Sequence, residues 1–498
     1  MTNAEPSAAP TLDALAQRAL RRAPTEPALE YERRIYHWAE MQQVALPLTA
    51  ALTASGAGAQ QPVALIARNR PSAVAALLGL IAARRSVQMV YAFQTPHAIA
   101  QNIARLEPAA VVAEASELRD EVLDMLRSQG IAAIVLSDMD AAPLAGFERS
   151  QRIGAATLAE PRIHVLTSGT TGAPKQVPFA YSVFEKHYSR PVRAAESQRP
   201  EPPPLLCFPL GNITGLYSTL PPLFRGQLPL LVDRFTLPAW HDWVVRFRPR
   251  NGGLPPAGVQ MILDANIPRE DLSSIQYVGT GAAPLEPAVH RAFEARYGVP
   301  ILLSYGATEF GGPVSAMTPE LHAEWGERKF GSCGRAIPGA KVRVVDAVSG
   351  AELPPGEEGL LEVVSPRIGP EWIRTSDIAL IDADGFMYHR GRADSAIMRG
   401  GFKLIPDTIE RALALHPAVS AAAVVGQKDR RLGEVPVAAI QLKPGARWPG
   451  AATLEAHVRQ HLPATHVPVT FLEVDALPRT QSLKLDRPAL QRLFEPPA

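Results

Sequence analysis

Residues 167–175 read Thr-Ser-Gly-Thr-Thr-Gly-Ala-Pro-Lys, and they follow a largely apolar run at 163–166 that is typical of a strand. The two glycines let the backbone approach a charged group closely. The hydroxyl and backbone N–H groups around them offer many hydrogen-bond donors, and Lys175 adds a positive charge. This segment therefore predicts a loop that cradles phosphate groups. An exposed polar hairpin is the alternative.

The spacing of this loop differs from the two common nucleotide-binding motifs. A Walker A loop needs G-x-x-x-x-G-K-[ST], which the segment does not satisfy. The G-x-G-x-x-G fingerprint of dinucleotide-binding proteins is missing from the early strand–helix region. Both a P-loop phosphotransferase and a nicotinamide-dependent oxidoreductase are therefore disfavoured.

The amino-acid composition is that of an ordinary globular protein. The 498 residues include 50 basic and 49 acidic side chains, for a net charge of +1, and 46% are hydrophobic. The balanced charge gives no electrostatic footprint for nucleic acid. No apolar stretch reaches the ~18–20 residues of a membrane span, and no secretory signal is visible. Cys207 and Cys333 stand far apart without metal-ligand spacing, so we expect a cytoplasmic protein without a zinc site.

Hydrophobic periodicity predicts an α/β fold. Residues 12–22 and 73–84 have helical spacing, whereas the short apolar runs at 62–67 and 109–113 are typical of buried parallel strands. Their alternation predicts layered sheets and helices. From Gly331 to Asp384 the pattern changes to a two-residue rhythm, which predicts hairpins or a small barrel-like subdomain.

The pattern changes again after Gly391. Helical patterns at 407–415 and 454–461 and strand patterns at 421–426 and 437–442 predict a small, separate α+β lobe. We therefore expect a large N-terminal domain at 1–391 and a small mobile C-terminal domain at 392–498.

Five further motifs lie in order along the chain. They are Gly279-Thr280-Gly281-Ala282-Ala283-Pro284-Leu285, Tyr305-Gly306-Ala307-Thr308-Glu309, Thr375-Ser376-Asp377, Gly391-Arg392-Ala393-Asp394 followed by Gly400-Gly401, and Pro478-Arg479-Thr480-Gln481-Ser482-Leu483-Lys484. Together with the loop at 167–175, they resemble the motifs of the adenylate-forming superfamily, which includes acyl- and aryl-CoA synthetases, luciferases and adenylation domains. Six ordered matches across most of the chain are far more specific than any one of them.

The resemblance implies an enzyme with two half-reactions in one site. A small-molecule carboxylic acid first attacks the α-phosphorus of ATP, with Mg²⁺ as cofactor, and gives an acyl-adenylate and pyrophosphate. A thiol, usually that of coenzyme A, then displaces AMP. Two anions must meet in the first step, so electrostatic stabilisation and positioning dominate the catalysis.

The resemblance also implies a role for each matched position. Thr170 and Thr171 would hold the β- and γ-phosphates, Glu309 would bind Mg²⁺, and Lys484 would bridge the carboxylate and the α-phosphate. Asp377 would accept hydrogen bonds from the ribose hydroxyls with the help of Arg392, and Asp394 would be the hinge. The other implied nucleotide- and cofactor-binding residues are Thr167, Ser168, Gly169, Gly172, Lys175, Gly281, Ala282, Ala283, Ser304, Tyr305, Gly306, Thr308 and Gly401.

Three positions depart from the family pattern. Leu483 stands where relatives have glycine before the lysine, so a bulky side chain restricts the backbone there. Ser376 replaces the glycine of Thr-Gly-Asp. Asn212 stands where relatives often carry histidine. We expect Asn212, Gly211, Gly281 and Gly311 to border a pocket for an aryl or fatty acid.

Several alternatives remain open on the sequence. A stand-alone adenylation enzyme would load a carrier protein in place of free coenzyme A. A nucleotide-binding protein that kept the fold and lost turnover would explain Leu483 and Asn212. A phosphotransferase is the weakest rival, and a homodimer is the default oligomeric expectation.

Overall fold

The computed structural model describes residues 10–152, 160–167, 175–188, 201–400, 402–480 and 483–495. The chain forms two compact units, Met1–Phe247 and Arg248–Ala498. The predicted boundary near residue 392 lies inside the second unit and stays a prediction. Among the helices of the described residues, none is long and apolar enough to cross a bilayer.

The first unit contains layered helices and strands. Its described helices are α1 (Leu12–Leu20), α2 (Trp38–Ala54), α3 (Pro71–Ala82), α4 (Pro96–Leu106), α5 (Asp120–Gln129), α6 (Tyr181–Tyr188), α7 (Ile213–Arg225) and α8 (Leu237–Phe247). Its described strands are β1 (Pro27–Tyr31), β2 (Arg34–His37), β3 (Val63–Ala67), β4 (Val87–Tyr91), β5 (Ala110–Glu114), β6 (Ala132–Ser137), β7 (Asp140–Pro143), β8 (Arg162–Thr167), β9 (Lys175–Ala180), β10 (Leu205–Leu206) and β11 (Leu230–Leu231).

The largest sheet of this unit has the strand order β7-β6-β5-β3-β4-β8-β9. Its inner pairs are parallel, and β7 and β9 pair antiparallel at the two edges. Every residue of β3 is buried, because one hydrophobic cluster covers each face of the sheet. A second sheet has the order β10-β11-β1-β2. The α/β prediction is therefore confirmed.

Helix α3 shows how an apolar sequence is buried on all sides. Its residues from Pro71 to Ile81 are all buried, as expected for a helix without a polar face. The periodicity predicts that this helix continues to Arg84, but it ends at Ala82. Arg84 adopts a left-handed φ of 54°, which stops the helical hydrogen bonding.

The second unit contains more antiparallel sheet. Its described helices are α9 (Pro256–Asp264), α10 (Pro287–Tyr297), α11 (Pro319–Trp325), α12 (Pro406–Ala414), α13 (Ala451–His461) and α14 (Arg487–Arg492). Its described strands are β12 (Val278–Gly281), β13 (Ile301–Ala307), β14 (Gly312–Ala316), β15 (Arg335–Ala336), β16 (Lys341–Val345), β17 (Glu358–Val364), β18 (Ile373–Ile381), β19 (Met387–Arg392), β20 (Ile397–Arg399), β21 (Phe402–Leu404), β22 (Val419–Asp429), β23 (Gly433–Leu442) and β24 (Thr470–Val474).

Three sheets organise this unit, with the orders β12-β13-β14-β15, β16-β17-β18-β19 and β21-β20-β23-β22, where β24 also pairs with β23. The second sheet is antiparallel throughout, so the predicted hairpins are confirmed. In the third, α12 and α13 pack on the strands around a separate apolar cluster that includes Ile409, Val424 and Leu454. The α+β character predicted for this part of the chain is confirmed.

Candidate functional site

The glycine-rich segment connects two antiparallel strands of the first unit. Thr167 ends β8, Lys175 begins β9, and their backbones are register partners. Residues 168–174 lie outside the described residues. The phosphate contacts predicted for this segment therefore stay predictions, including those of Ser168, Gly169, Thr170, Thr171 and Gly172.

Asn212 caps helix α7. Its Oδ1 accepts a hydrogen bond of 2.6 Å from the N–H of Gly215, which satisfies one of the unpaired donors of the first turn. Gly215 itself allows no side chain, because an added Cβ would lie 1.9 Å from the carbonyl oxygen of Pro209. Gly211 lies beside the ring of Tyr91, with 3.8 Å between an added Cβ and Cδ2. The amide thus has a structural role that the motif comparison missed, while its contact with substrate stays a prediction.

A buried asparagine holds the segment in front of this cap. The Nδ2 of Asn69 donates to the carbonyls of Phe208 and Val232 at 3.0 and 3.1 Å, and its Oδ1 accepts from the N–H of Leu210 at 2.8 Å. Asn69 is only 2% exposed, so losing these bonds would leave polar groups buried without partners. Its position between β3 and α3 was the one sequence signal that could have identified it.

In the second unit, the Gly279–Leu285 motif lies against the Tyr305 motif. Gly281 pairs with Ser304 in parallel register, and a Cβ at Gly281 would approach the carbonyl oxygen and the hydroxyl of Ser304 to 2.6 Å. Ala282 follows with a left-handed φ of 66°. The structure therefore brings these two predicted nucleotide-binding segments together, and Ala283 follows directly after Ala282.

The turn after β13 presents the predicted metal ligand. Thr308, Glu309 and Phe310 form one turn of 3₁₀ helix that Gly311 ends with a left-handed φ of 67°. Glu309 is exposed, whereas Phe310 is buried. Among the described residues, no three His, Cys, Asp or Glu side chains form a group that could hold a metal ion. A single exposed carboxylate is compatible with Mg²⁺, which commonly takes its remaining ligands from water and substrate phosphates.

Asp377 is held at both carboxylate oxygens. Tyr305 Oη donates to Oδ2 at 2.5 Å, and His389 Nε2 lies 3.3 Å from Oδ1. Burial by itself would raise the pKa of Asp377, but the hydrogen bonds from His389 and Tyr305 and the charges of His389 and Arg392 hold it below the ordinary value. Burial, and then the charge of Asp377, raise the pKa of Tyr305, which keeps its hydroxyl protonated.

Arg392 lies next to the predicted hinge residue. Its Nη2 donates to the Oγ of Ser376 at 2.6 Å and to the Oδ2 of Asp394 at 2.5 Å, while its Nε donates to Oδ1 of Asp394 at 2.8 Å. This paired geometry lowers the pKa of Asp394. Serine in place of the family's glycine at position 376 therefore adds a contact to the predicted hinge residue.

Lys484 lies in a tight turn near the end of the chain. The N–H of Thr480 donates to the carbonyl oxygen of Lys484 at 2.7 Å, and Leu483 between them has a left-handed φ of 59°. Burial lowers the pKa of Lys484, the negative charge of Glu309 raises it, and the positive charge of Arg392 lowers it. The structure thus brings the predicted lysine into electrostatic contact with two other predicted site residues.

One predicted residue of this unit has no described position. Gly401 lies outside the described residues, between β20 and β21, which pair as a hairpin. Gly400 before it has a left-handed φ of 56°. The cofactor-binding role of Gly401 stays a prediction.

Comparison with known proteins identifies two family models in the chain. The model of the AMP-binding enzyme matches residues 16–370, and the model of the AMP-binding enzyme C-terminal domain matches residues 408–484.

Curated relatives and solved structures agree with these matches. A sulfoacetate–CoA ligase of Cupriavidus necator is 32% identical over 352 residues, which are 66% of each protein. A 4-coumarate–CoA ligase 3 of Oryza sativa subsp. japonica is 29% identical over 81% of this chain and 78% of the relative. The structure of the amide bond synthetase McbA from Marinactinospora thermotolerans superposes with a TM-score of 0.77 at 26% identity and covers 97% of this chain and 99% of that protein.

Proposed function

The chain belongs to the AMP-binding enzyme family, and from that premise we propose that it is an ATP-dependent acid–thiol ligase. It activates a carboxylic acid as an acyl-adenylate, releases pyrophosphate, and transfers the acyl group to the thiol of coenzyme A. The observation that carries the proposal is the cluster in which the charge of Lys484 interacts with those of Glu309 and Arg392, next to the doubly held carboxylate of Asp377.

The first half-reaction joins two anions. A carboxylate oxygen of the acid bonds to the α-phosphorus of ATP, and the bond from that phosphorus to the oxygen that bridges to the β-phosphate breaks. Negative charge grows on the departing pyrophosphate. Lys484 and Arg392 would reduce this repulsion, and the effect of Lys484 is strengthened because it lies partly buried, where charges are screened less than in water.

The second half-reaction needs a different arrangement of the same site. The thiol sulfur bonds to the acyl carbon, the bond from that carbon to the phosphate oxygen of AMP breaks, and the thiol proton passes to solvent. We propose that rotation about Asp394 removes Lys484 and brings in the face that carries Gly401, where a glycine leaves room for the pantetheine arm of coenzyme A. The contacts of Asp394 with Ser376 and Arg392 would then stabilise the arrangement observed here.

Mg²⁺ is proposed as the cofactor of the first step. Glu309 is the candidate ligand, because its carboxylate is exposed and close enough to Lys484 for their charges to interact. The ion would neutralise charge on the phosphates, and Glu309 would hold it together with water and phosphate oxygens.

An aryl or fatty carboxylic acid is the proposed substrate class. The segments around Asn212, Gly281 and Gly311, which are expected to border the acid, contain no acidic residue that could bind an α-amino group. The sulfoacetate and 4-coumarate ligases named above act, by their names, on acids without such a group, which supports the exclusion of amino acids, and 4-coumarate is an aryl acid. A carrier protein as the acceptor, a homodimer and a cytoplasmic location stay predictions from the sequence.

The proposal is tested by ATP–pyrophosphate exchange with a panel of aryl and fatty acids. We expect exchange with at least one acid, release of AMP, and a thioester of coenzyme A detected by mass. Lys484→Met should abolish the exchange but still convert a supplied acyl-adenylate to the thioester. Arg459→Met is a control, because Arg459 contacts Glu455 on the surface of α13.

Three outcomes would contradict parts of this proposal. Release of ADP would contradict adenylation. No exchange with any acid, together with measurable ATP binding, would favour a binding protein that has lost turnover. A thioester formed with a holo-carrier protein and not with coenzyme A would show that the acceptor is a carrier protein.

A further inference from the structure

Both oxygens of Asp377 accept a hydrogen bond from a neighbouring side chain. Tyr305 occupies Oδ2 and His389 occupies Oδ1. Since the pKa of Asp377 is lowered, the carboxylate is the acceptor and the Nε2 of His389 carries the proton that is donated. Each carboxylate oxygen keeps a second lone pair, so the group can still accept two further hydrogen bonds in a fixed orientation.

His389 reaches this carboxylate because of a β-bulge. Between β18 and β19, Asp377 pairs with Arg392 and Ile378 with Gly391, but Ala379 then pairs with His389. Arg390 is the extra residue. Side chains alternate between the two faces of a strand, so this shift of one residue moves His389 onto the face of the sheet that carries Asp377. Without the bulge, His389 would pair with Leu380 and lie on the opposite face.

A ring contact supports the same arrangement. The rings of Tyr305 and His389 stack with their centroids 5.9 Å apart and their planes 26° from parallel. Tyr305 comes from β13 in a different sheet, so the two donors approach Asp377 from two elements. Rotation of the Asp377 carboxylate would therefore break the hydrogen bonds from Tyr305 and His389.

We propose that His389 is a positioning residue that orients Asp377 for the two vicinal hydroxyls of a ribose, so that discrimination between ribo- and 2′-deoxyribonucleotides depends on it. The inference rests on the proposed function, in which Asp377 binds the nucleotide. A carboxylate whose two oxygens are already held in place gains nearly its full interaction energy with a diol, because little orientational freedom remains to be lost on binding.

Two substitutions at this position separate the hydrogen bond from the packing. His389→Leu removes the donor, and His389→Gln offers an amide N–H near the position of Nε2. His97→Leu is the matched control, because His97 is an exposed histidine of the first unit. Binding of AMP and 2′-deoxy-AMP is measured by calorimetry, and KM and kcat for ATP and 2′-deoxy-ATP are measured by pyrophosphate exchange.

We expect His389→Leu to reduce the preference for the ribonucleotide by about five- to tenfold, the effect of one ordinary hydrogen bond, because His389 acts on the ribose only through Asp377. The change in preference should appear in Kd and KM more than in kcat. His389→Gln should restore most of the preference for the ribonucleotide. An unchanged preference, or an equal loss for both nucleotides, would overturn the inference alone. A wild-type protein that binds neither nucleotide would overturn the proposed function as well.

Discussion

The hydroxyl of Ser376 donates a hydrogen bond of 3.0 Å to the Oδ2 of Asp394, and the same hydroxyl accepts one of 2.6 Å from Arg392. This residue stands where the family pattern has a glycine, so the contact comes from a departure from the motif. It links the middle residue of the Thr-x-Asp motif to the predicted hinge. The predicted hinge residue is therefore hydrogen-bonded in the arrangement in which the charges of Lys484 and Glu309 interact.

Replacing this serine should change the balance of the two half-reactions. In Ser376→Gly, Asp394 loses one of its partners, and we expect adenylation to fall about two- to fivefold more than thioester formation, as the loss of one partly exposed hydrogen bond implies. Pyrophosphate exchange measures the first step, and conversion of supplied acyl-adenylate measures the second. Ser349→Gly is the control, since Ser349 lies in an exposed turn. An equal loss in both assays would argue against a hinge role.

Leu483 provides a test of backbone strain. Its φ of 59° lies in the left-handed region, which costs a residue with a side chain on the order of 1 kcal/mol. We expect Leu483→Gly to keep adenylation activity and to change the free energy of unfolding by less than about 1 kcal/mol, since glycine relieves strain but gains freedom in the unfolded chain.

A β-branched residue should behave differently at this position. Leu483→Val is expected to lower adenylation more than Leu483→Gly does, because branching at Cβ makes a left-handed backbone much less favourable. Leu485→Val, two residues later, serves as the comparison, and its effect should be on stability rather than on the first half-reaction. Pyrophosphate exchange and urea unfolding measure the two effects. Equal exchange rates for the valine and glycine variants at position 483 would show that the turn is not strained.

The pH dependence of adenylation should report Lys484. Burial lowers its pKa, the charge of Glu309 offsets part of this effect, and the charge of Arg392 lowers the pKa further. The lysine must be cationic to act, so activity is lost as the pH rises through its pKa. We expect the alkaline limb of kcat/KM for pyrophosphate exchange, which reflects the free enzyme, to fall below pH ~10.4. Lys484→Arg should move that limb upward, and an identical profile in this variant would assign the limb to another group.

Gly306 tests the close packing behind the Tyr305 motif. A Cβ at this position would lie 2.5 Å from the carbonyl oxygen of Gly312 and 2.5 Å from the Cα of Pro313, both backbone atoms. We expect Gly306→Ala to destabilise the protein by about 1–3 kcal/mol and to weaken ATP binding, since the strand must shift. Gly369→Ala is the control, because nothing lies within 4 Å of its added Cβ. Thermal unfolding and nucleotide titration distinguish the two variants.

His416 should make the second unit sensitive to acid. Burial, and then the charges of His457 and Lys443, lower its pKa. The unfolded chain therefore binds a proton at His416 near pH 6.5 while the folded protein does not, so stability is complete above that pH and falls as the pH decreases toward the folded pKa. We expect His416→Gln to reduce the loss of Tm between pH 7.5 and about pH 5.5. The same loss in the variant as in the wild type would attribute the acid sensitivity to other groups.

Long-range contacts explain why part of the site was predictable and part was not. The motifs around Tyr305, Asp377, Arg392 and Lys484 were identified from their residues, and the structure brings these residues together in the second unit. His389 was missed, because only the bulge between β18 and β19 places it on the face of the sheet that carries Asp377. Asn69 was missed for a related reason: its three backbone partners come from segments far away in the chain.

Periodicity and local motifs by themselves determined the α/β class, most of the helices and strands, and the order of the nucleotide-binding motifs, because these depend on the residue pattern within a few positions. Tertiary structure alone decided which groups support those motifs: the bulge that turns His389 toward Asp377, and the contact of Ser376 with the predicted hinge residue Asp394. These features depend on the register of paired strands and on contacts between distant residues, which no local pattern specifies.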